Sequence, residues 1–242
     1  MFSWETVKDQ VDSGNLDNLK RHPDLQARYE NWTREIACQY GSAIHYLLQV
    51  KLGWDPLEVK TEVPGPVVNH TATEAKDGED SKPVAGAVAL GLPTPSPIGP
   101  YAPVSNAGGT SPEYFSANMP PHFYQILRNE WPYSVPVGVE HFVFWTRVPI
   151  IHPAIASACP KIWPLIERDG LWGFTGSNRT PAPRILDHEF DAAPVQEAHQ
   201  ECATFVMKHW PTDSWETAWL VNPLSIQSLP GLSHGHVLAR KK

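Results

Sequence analysis

Residues 137–150, VGVEHFVFWTRVPI, decide the fold. In an extended chain successive side chains point to opposite faces, so Val139, His141, Val143 and Trp145 share one face while Phe142, Phe144 and Val148 share the other. Both faces are largely apolar, which makes this a central strand covered on two sides.

Working outward, His122–Asn129 reads as a short helix before that strand, and Lys161–Arg168 as a short helical stretch after it. A loop rich in Gly, Pro and Arg then leads to a helix over Pro194–His209, with Val195, Ala198, Cys202, Phe205 and Val206 inward. Trp219–Val221 and His236–Ala239 read as two closing strands. At the other end Ser3 caps a helix over Trp4–Asp12 that Gly14 closes, and Pro23 opens a longer one. In that second helix Leu25, Tyr29, Trp32, Ile36 and Tyr40 recur at helical spacing up to Gly41, and a third carries Ala43, Tyr46, Leu47 and Val50 before Gly53. Between Val63 and Pro121 prolines and glycines crowd around the polar run ATEAKDGEDSK. This is expected to be a long, partly disordered insertion whose aromatic tail, Tyr101, Tyr114 and Phe115, orders over the body. The sum is one α+β domain over residues 1–242: N-terminal helices packed on a small, mainly antiparallel sheet, with a Pro/Gly-rich insertion at 63–121.

Composition narrows the class. The chain has 242 residues, 41% of them apolar, with 10 tryptophans, and its 25 prolines and 16 glycines exclude a coiled coil. A net charge of −7 argues against a broadly basic surface of the kind that grips nucleic acid non-specifically. Cys38, Cys159 and Cys202 are odd in number and form no CxxC pair, so neither a disulfide framework nor a zinc knuckle is indicated. No stretch approaches a membrane span and MFSWETVKDQ lacks the apolar core of a signal peptide, so a cytoplasmic protein with no membrane partner is expected.

The densest polar constellation is NPLSIQSLPGLSHGHV, residues 222–237, with Asn222, Gln227, Ser228, His234 and His236 on turns and strand ends. Residues at i and i+2 of a strand lie about 7 Å apart on one face, so His234 and His236 can converge on one ligand. The bland alternatives are a solvated edge pair, or buried histidines satisfied by carbonyls. Zinc would need a third ligand such as His141 and an ordered second shell, and no Glu or Cys stands at a familiar spacing from HGH, so no metal or other cofactor is expected. The second constellation is NEWPYSVPVGVEHFVFW, residues 129–145. Glu130, Trp131, Tyr133 and His141 there could wall a pocket or simply pack a rigid turn, and Glu140, next to His141, points to the opposite face of a regular strand. Cys38 is a lesser candidate nucleophile, for want of a visible cationic neighbour. The common dinucleotide, phosphate-loop, zinc-protease and serine-hydrolase motifs are missing.

Three ordered motifs, REIACQYGS (34–42), ILRNEWPYSVPVGVEHFVFWTR (126–147) and NPLSIQSLPGLSHGHV (222–237), resemble the fungal family of uncharacterised domains that includes the N-acetylglucosamine-induced protein. One branch of that family comprises arginine-containing cyclodipeptide synthases, which join arginine and a second amino acid from their aminoacyl-tRNAs into a diketopiperazine. The resemblance implies arginyl-tRNA and a second aminoacyl-tRNA as partners and a place in secondary metabolism. It implies His141, His234 and His236 as candidate bases, and Ser228, Asn222 and Gln227 as oxyanion donors, Ser228 alternatively as an acyl-carrying nucleophile. Glu130 and Glu140 would grip the guanidinium with Glu35 behind them, and Lys20, Arg21, His22, Arg28, Arg34, Arg240, Lys241 and Lys242 would meet tRNA phosphates. The same pattern is similar to the histidine-triad superfamily of nucleotide hydrolases and transferases, with His236 at the nucleophile position but Leu238 where the third histidine belongs. A non-catalytic regulator of amino-sugar metabolism is the third possibility.

Overall fold

Capping residues set the N-terminal helices. The Ser3 side chain accepts the Thr6 N–H and opens α1, Trp4–Ser13, which ends at Gly14 in the left-handed region. Pro23 starts α2, Pro23–Tyr40, and Ser42 caps α3, Ala43–Tyr46, by accepting the His45 N–H. The chain then widens into a π-helical turn over Leu47–Leu52, closed by Gly53 at φ 62°. This computed structural model describes residues 3–14, 19–59, 112–181, 192–227, 229 and 231–242. All of them belong to one unit, formed by Met1–Val63 with Pro112–Lys242.

The sheet is antiparallel throughout, with strand order β1-β2-β5-β4-β3: β1 Tyr124–Arg128, β2 Val139–Thr146, β3 Leu171–Thr175, β4 Trp215–Val221 and β5 His234–Lys241. The expected α+β class is therefore the observed one, with β2 internal between β1 and β5. Residues 124–128 form a strand and not the expected helix. Tyr124 and Ile126 pack into the cluster on one face and Leu127 into a cluster on the other, a period of two that only a strand satisfies. Pairing with β2 also supplies hydrogen bonds that a helix of two turns, costly to nucleate, would have to form alone. Residues 171–175, within the expected loop, form β3. Its central Gly173 has a packing reason, because a Cβ there would come within 2.7 Å of the Trp219 ring.

One face of the sheet is closed by α5, Ala192–His209, and α4, Trp163–Asp169, around Phe144, Phe205, Trp219 and Val237. Phe115, Ala117 and Met119 are buried in the same cluster, so the body takes up the chain again from Pro112, and residues 63–111 of the expected insertion lie outside the described residues. The opposite face is covered in two patches. Val7, Val11 and Leu19 pack on Trp172, Ala218, Leu220 and Leu238, whereas Leu48, Leu52 and Trp54 pack on Val143 and Trp145. Between the patches the sheet presents His141, His234 and His236.

Candidate functional site

Strand register brings the three histidines together. His141 lies across from Leu238, His236 from Val143 and His234 from Trp145, all on one face. His141 Nε2 is 3.0 Å from His236 Nδ1, and the His234 and His236 ring centroids are 5.4 Å apart. Asn129 shapes the turn above them. Its N–H donates to the His141 carbonyl at 2.8 Å and its side-chain oxygen accepts the Trp131 N–H at 2.9 Å, which folds the loop back so that the Tyr133 N–H donates to His141 Nδ1 at 3.2 Å.

These bonds fix the protons. Burial pushes the His141 imidazole down to about 3, helped by the Arg21 charge, and holds His236 and His234 below the ordinary histidine value, so all three are neutral at pH 7. For His236 the neighbouring His141, His234 and Arg21 add to the burial. A backbone N–H can only donate, so His141 Nδ1 is the acceptor and its proton sits on Nε2. That proton is donated to His236 Nδ1, which leaves the His236 proton on Nε2. His234 is the reverse. Its Nδ1 lies 2.7 Å from the Leu232 carbonyl, which can only accept, so Nδ1 carries the proton and Nε2 carries the lone pair. The floor thus sets one imidazole N–H donor beside one imidazole acceptor.

Above the floor is a cleft of about 740 Å³, counted out to its open mouth, and His234 and His236 line it. Its wall is aromatic. Trp32 stands 5.4 Å from Trp131 and 5.5 Å from Tyr46, and Tyr29 5.5 Å from Trp131, between ring centroids. The Arg21 guanidinium lies 4.1 Å above the Tyr29 ring and its Nε donates to the Trp131 carbonyl. Lys51, from the π-helical turn, pairs with Glu130 at 2.6 Å across the mouth.

Of the residues expected from sequence, His141, His234, His236, Glu130, Trp131 and Tyr133 meet here. Tyr133 packs 4.6 Å from the His141 ring. Gln227 donates to the Asn222 carbonyl, and the side-chain oxygens of Asn222 and Gln227 are buried without a partner. Glu140 does not join the site: strand alternation sends it to the α5 face, where it pairs with Arg128 at 3.8 Å. Glu35 and Cys38 lie on the exposed outer side of α2, away from Glu130. Ser228 lies outside the described residues. Arg240 is engaged by Glu216 at 2.6 Å, and Arg21 turns into the cleft. Asn129, Lys51, Tyr29, Trp32 and Tyr46 were not legible as site residues, since the aromatic ones share the spacing of a core stripe. Yet of α2 only Ile36 is buried, and Tyr29 and Trp32 are left half-open on the cleft. Among the described residues no group of three or more His, Cys, Asp or Glu could hold a metal ion, and no helix is long and apolar enough to cross a membrane.

Residues 3–161, about two thirds of the chain, match the family described as "Protein of unknown function (DUF3605)". None of the curated proteins matches. A solved structure described as "Crystal Structure of HTC1" superposes with a TM-score of 0.48 at 19% identity, over 98% of this chain and 84% of that one, a likeness too slight to carry an argument.

Proposed function

We propose that this chain, which belongs to the DUF3605 family of proteins of unknown function, is an arginine-containing cyclodipeptide synthase of the fungal branch that its motifs resemble. The observation that carries the reading is the pair of opposite tautomers on the cleft floor, because peptide-bond formation from two aminoacyl esters needs one base and one oxyanion donor side by side. The ammonium of one aminoacyl group sheds its proton to solvent, and His234 Nε2 takes a second proton from the same nitrogen as the C–N bond forms. The freed amine attacks the ester carbonyl of the other; the C–N bond forms, and the carbonyl oxygen gathers charge against the His236 Nε2–H. The C–O bond to the ribose then breaks, and the proton on His234 passes to the leaving ribose oxygen. A second round closes the ring and leaves two free tRNAs. His141 is a positioning residue that holds the tautomer of His236. Glu130 is the carboxylate placed to meet a guanidinium, at the cost of its pairing with Lys51.

The histidine-triad reading draws less support. It would use His236 as a nucleophile, but the nitrogen turned away from His141 carries the proton, and Leu238 at the third position is wholly buried in apolar packing. Mass spectrometry on extracts of a heterologous host expressing the chain tests the proposal. An arginine-containing cyclic dipeptide that disappears with His234→Ala is expected. Soluble protein without such a product would overturn the synthase and leave the non-catalytic regulator.

A further inference from the structure

The cleft has more aromatic surface and more positive charge than an amine, an ester carbonyl and one guanidinium require. Trp32, Trp131, Tyr29 and Tyr46 touch one another with centroids 5.4–6.0 Å apart, Tyr29 stacked on Trp32 at 28° and the other pairs tilted or edge to face. The rings therefore leave no slot for a plane sandwiched between them, and form a continuous wall whose open face suits a planar ring laid on it. Arg21 stands at the edge of that wall. The groups it touches are a carbonyl, a carboxamide and a phenol ring, all neutral, and among the described residues none cancels its charge. That charge reaches the floor, where it depresses the protonation of His141 and His236. Lys51 is already matched by Glu130, so the cleft is left with a surplus positive charge. A planar platform bordered by an unneutralised guanidinium fits a nucleobase carrying a phosphate.

We propose that the wall of α2, α3 and the 129–133 turn is a mononucleotide subsite, with the base stacked on Trp32 and Trp131 and the 5′-phosphate on Arg21. Resting on the function proposed above, this nucleotide is the terminal nucleoside of the tRNA, whose stacking would deliver the aminoacyl ester to His234 and His236. The site is thereby assigned to the carrier, leaving the amino-acid side chain to the Glu130 side of the cleft.

Isothermal titration of the full chain with AMP, adenosine and arginine amide tests this. AMP is expected to bind, adenosine about tenfold more weakly for want of the charge-assisted bond, and the AMP affinity to fall as salt is raised. Arginine amide is expected not to displace AMP. Arg21→Gln should bring AMP to the level of adenosine, with Arg21→Lys between, and Trp32→Leu should weaken both ligands about tenfold. Equal affinities for AMP and adenosine, no binding of AMP at millimolar concentration, or displacement of AMP by arginine amide would each overturn the assignment, even if the variants fail to fold. Failure here with cyclic dipeptides still produced removes the subsite and not the synthase. Binding as expected with no dipeptide removes the synthase and leaves a nucleotide site.

Discussion

Two polar clusters sit on the same face of the sheet and share strand β5, and they are built on opposite rules. At one end Lys8, 5% exposed, and Glu216, 7% exposed, bond at 2.8 Å, and Arg240 closes on the second oxygen of Glu216 at 2.6 Å. Each charge meets an opposite one, as buried charge must. At the other end His141, His234 and His236 are 2%, 2% and 8% exposed and carry no charge, and two of their nitrogens are turned to a cleft instead of to the protein. A saturated cluster holds the fold together. A cluster that keeps one donor and one acceptor in reserve has only a ligand to satisfy it.

The contrast breaks most visibly under mutation. His234→Ala and His236→Ala are expected to lower cyclic dipeptide formation per folded molecule by a factor of about 10² or more, the usual loss for a general base or an oxyanion donor. Turnover retained in both variants, measured by mass spectrometry, would mean that the reserve nitrogens are idle. Glu216→Ala is expected to do the reverse: a loss of about 1–3 kcal/mol of stability in urea titration, because Lys8 keeps only the exposed Glu5 as partner and Arg240 loses its own, with turnover per folded molecule unchanged.

Acid separates the clusters by window. The histidines fold with proton affinities below the ordinary value, His141 down to about 3, so the unfolded chain binds more protons than the folded one once pH falls below about 6.5. Stability should therefore decline from there downward, by about 1.4 kcal/mol per pH unit for each histidine kept neutral. His152, pushed down to about 4 by burial, adds to this. Glu216 works in a lower window. Burial opposes its charged form, but bonds from Lys8 and Arg240 outweigh that and hold its carboxyl below the usual range, so its contribution is lost only below about pH 4.5. Thermal melts at successive pH values should show the first decline before the second, and a flat profile from pH 7 to 5 would contradict buried neutral imidazoles. The smallest effect is expected from Lys51→Met: its pair with Glu130 is half in water, and its loss should change stability by less than about 1 kcal/mol in urea titration.

The histidine cluster was legible in the sequence because its signal is local. The alternation of 139–145 placed His141 on a face, and HGH placed His234 and His236 two apart on one strand. The bond between His141 and His236 was not legible, since register joins residues 95 positions apart and no local pattern sets it. The aromatic wall was hidden for a different reason: Tyr29 and Trp32 at helical spacing read as a core stripe, and only the tertiary packing leaves them open. Gly173 misled in the same way, because a glycine that signals a loop locally is here the room that Trp219 needs.

The most direct measurement is long-range ¹H–¹⁵N correlation of the histidine rings at pH 7, which reads the proton on each nitrogen. Neutral rings are expected, with the proton on Nε2 in His141 and His236 and on Nδ1 in His234. An imidazolium in this trio, or the same tautomer in His234 and His236, would remove the donor and acceptor pair on which the proposed chemistry stands.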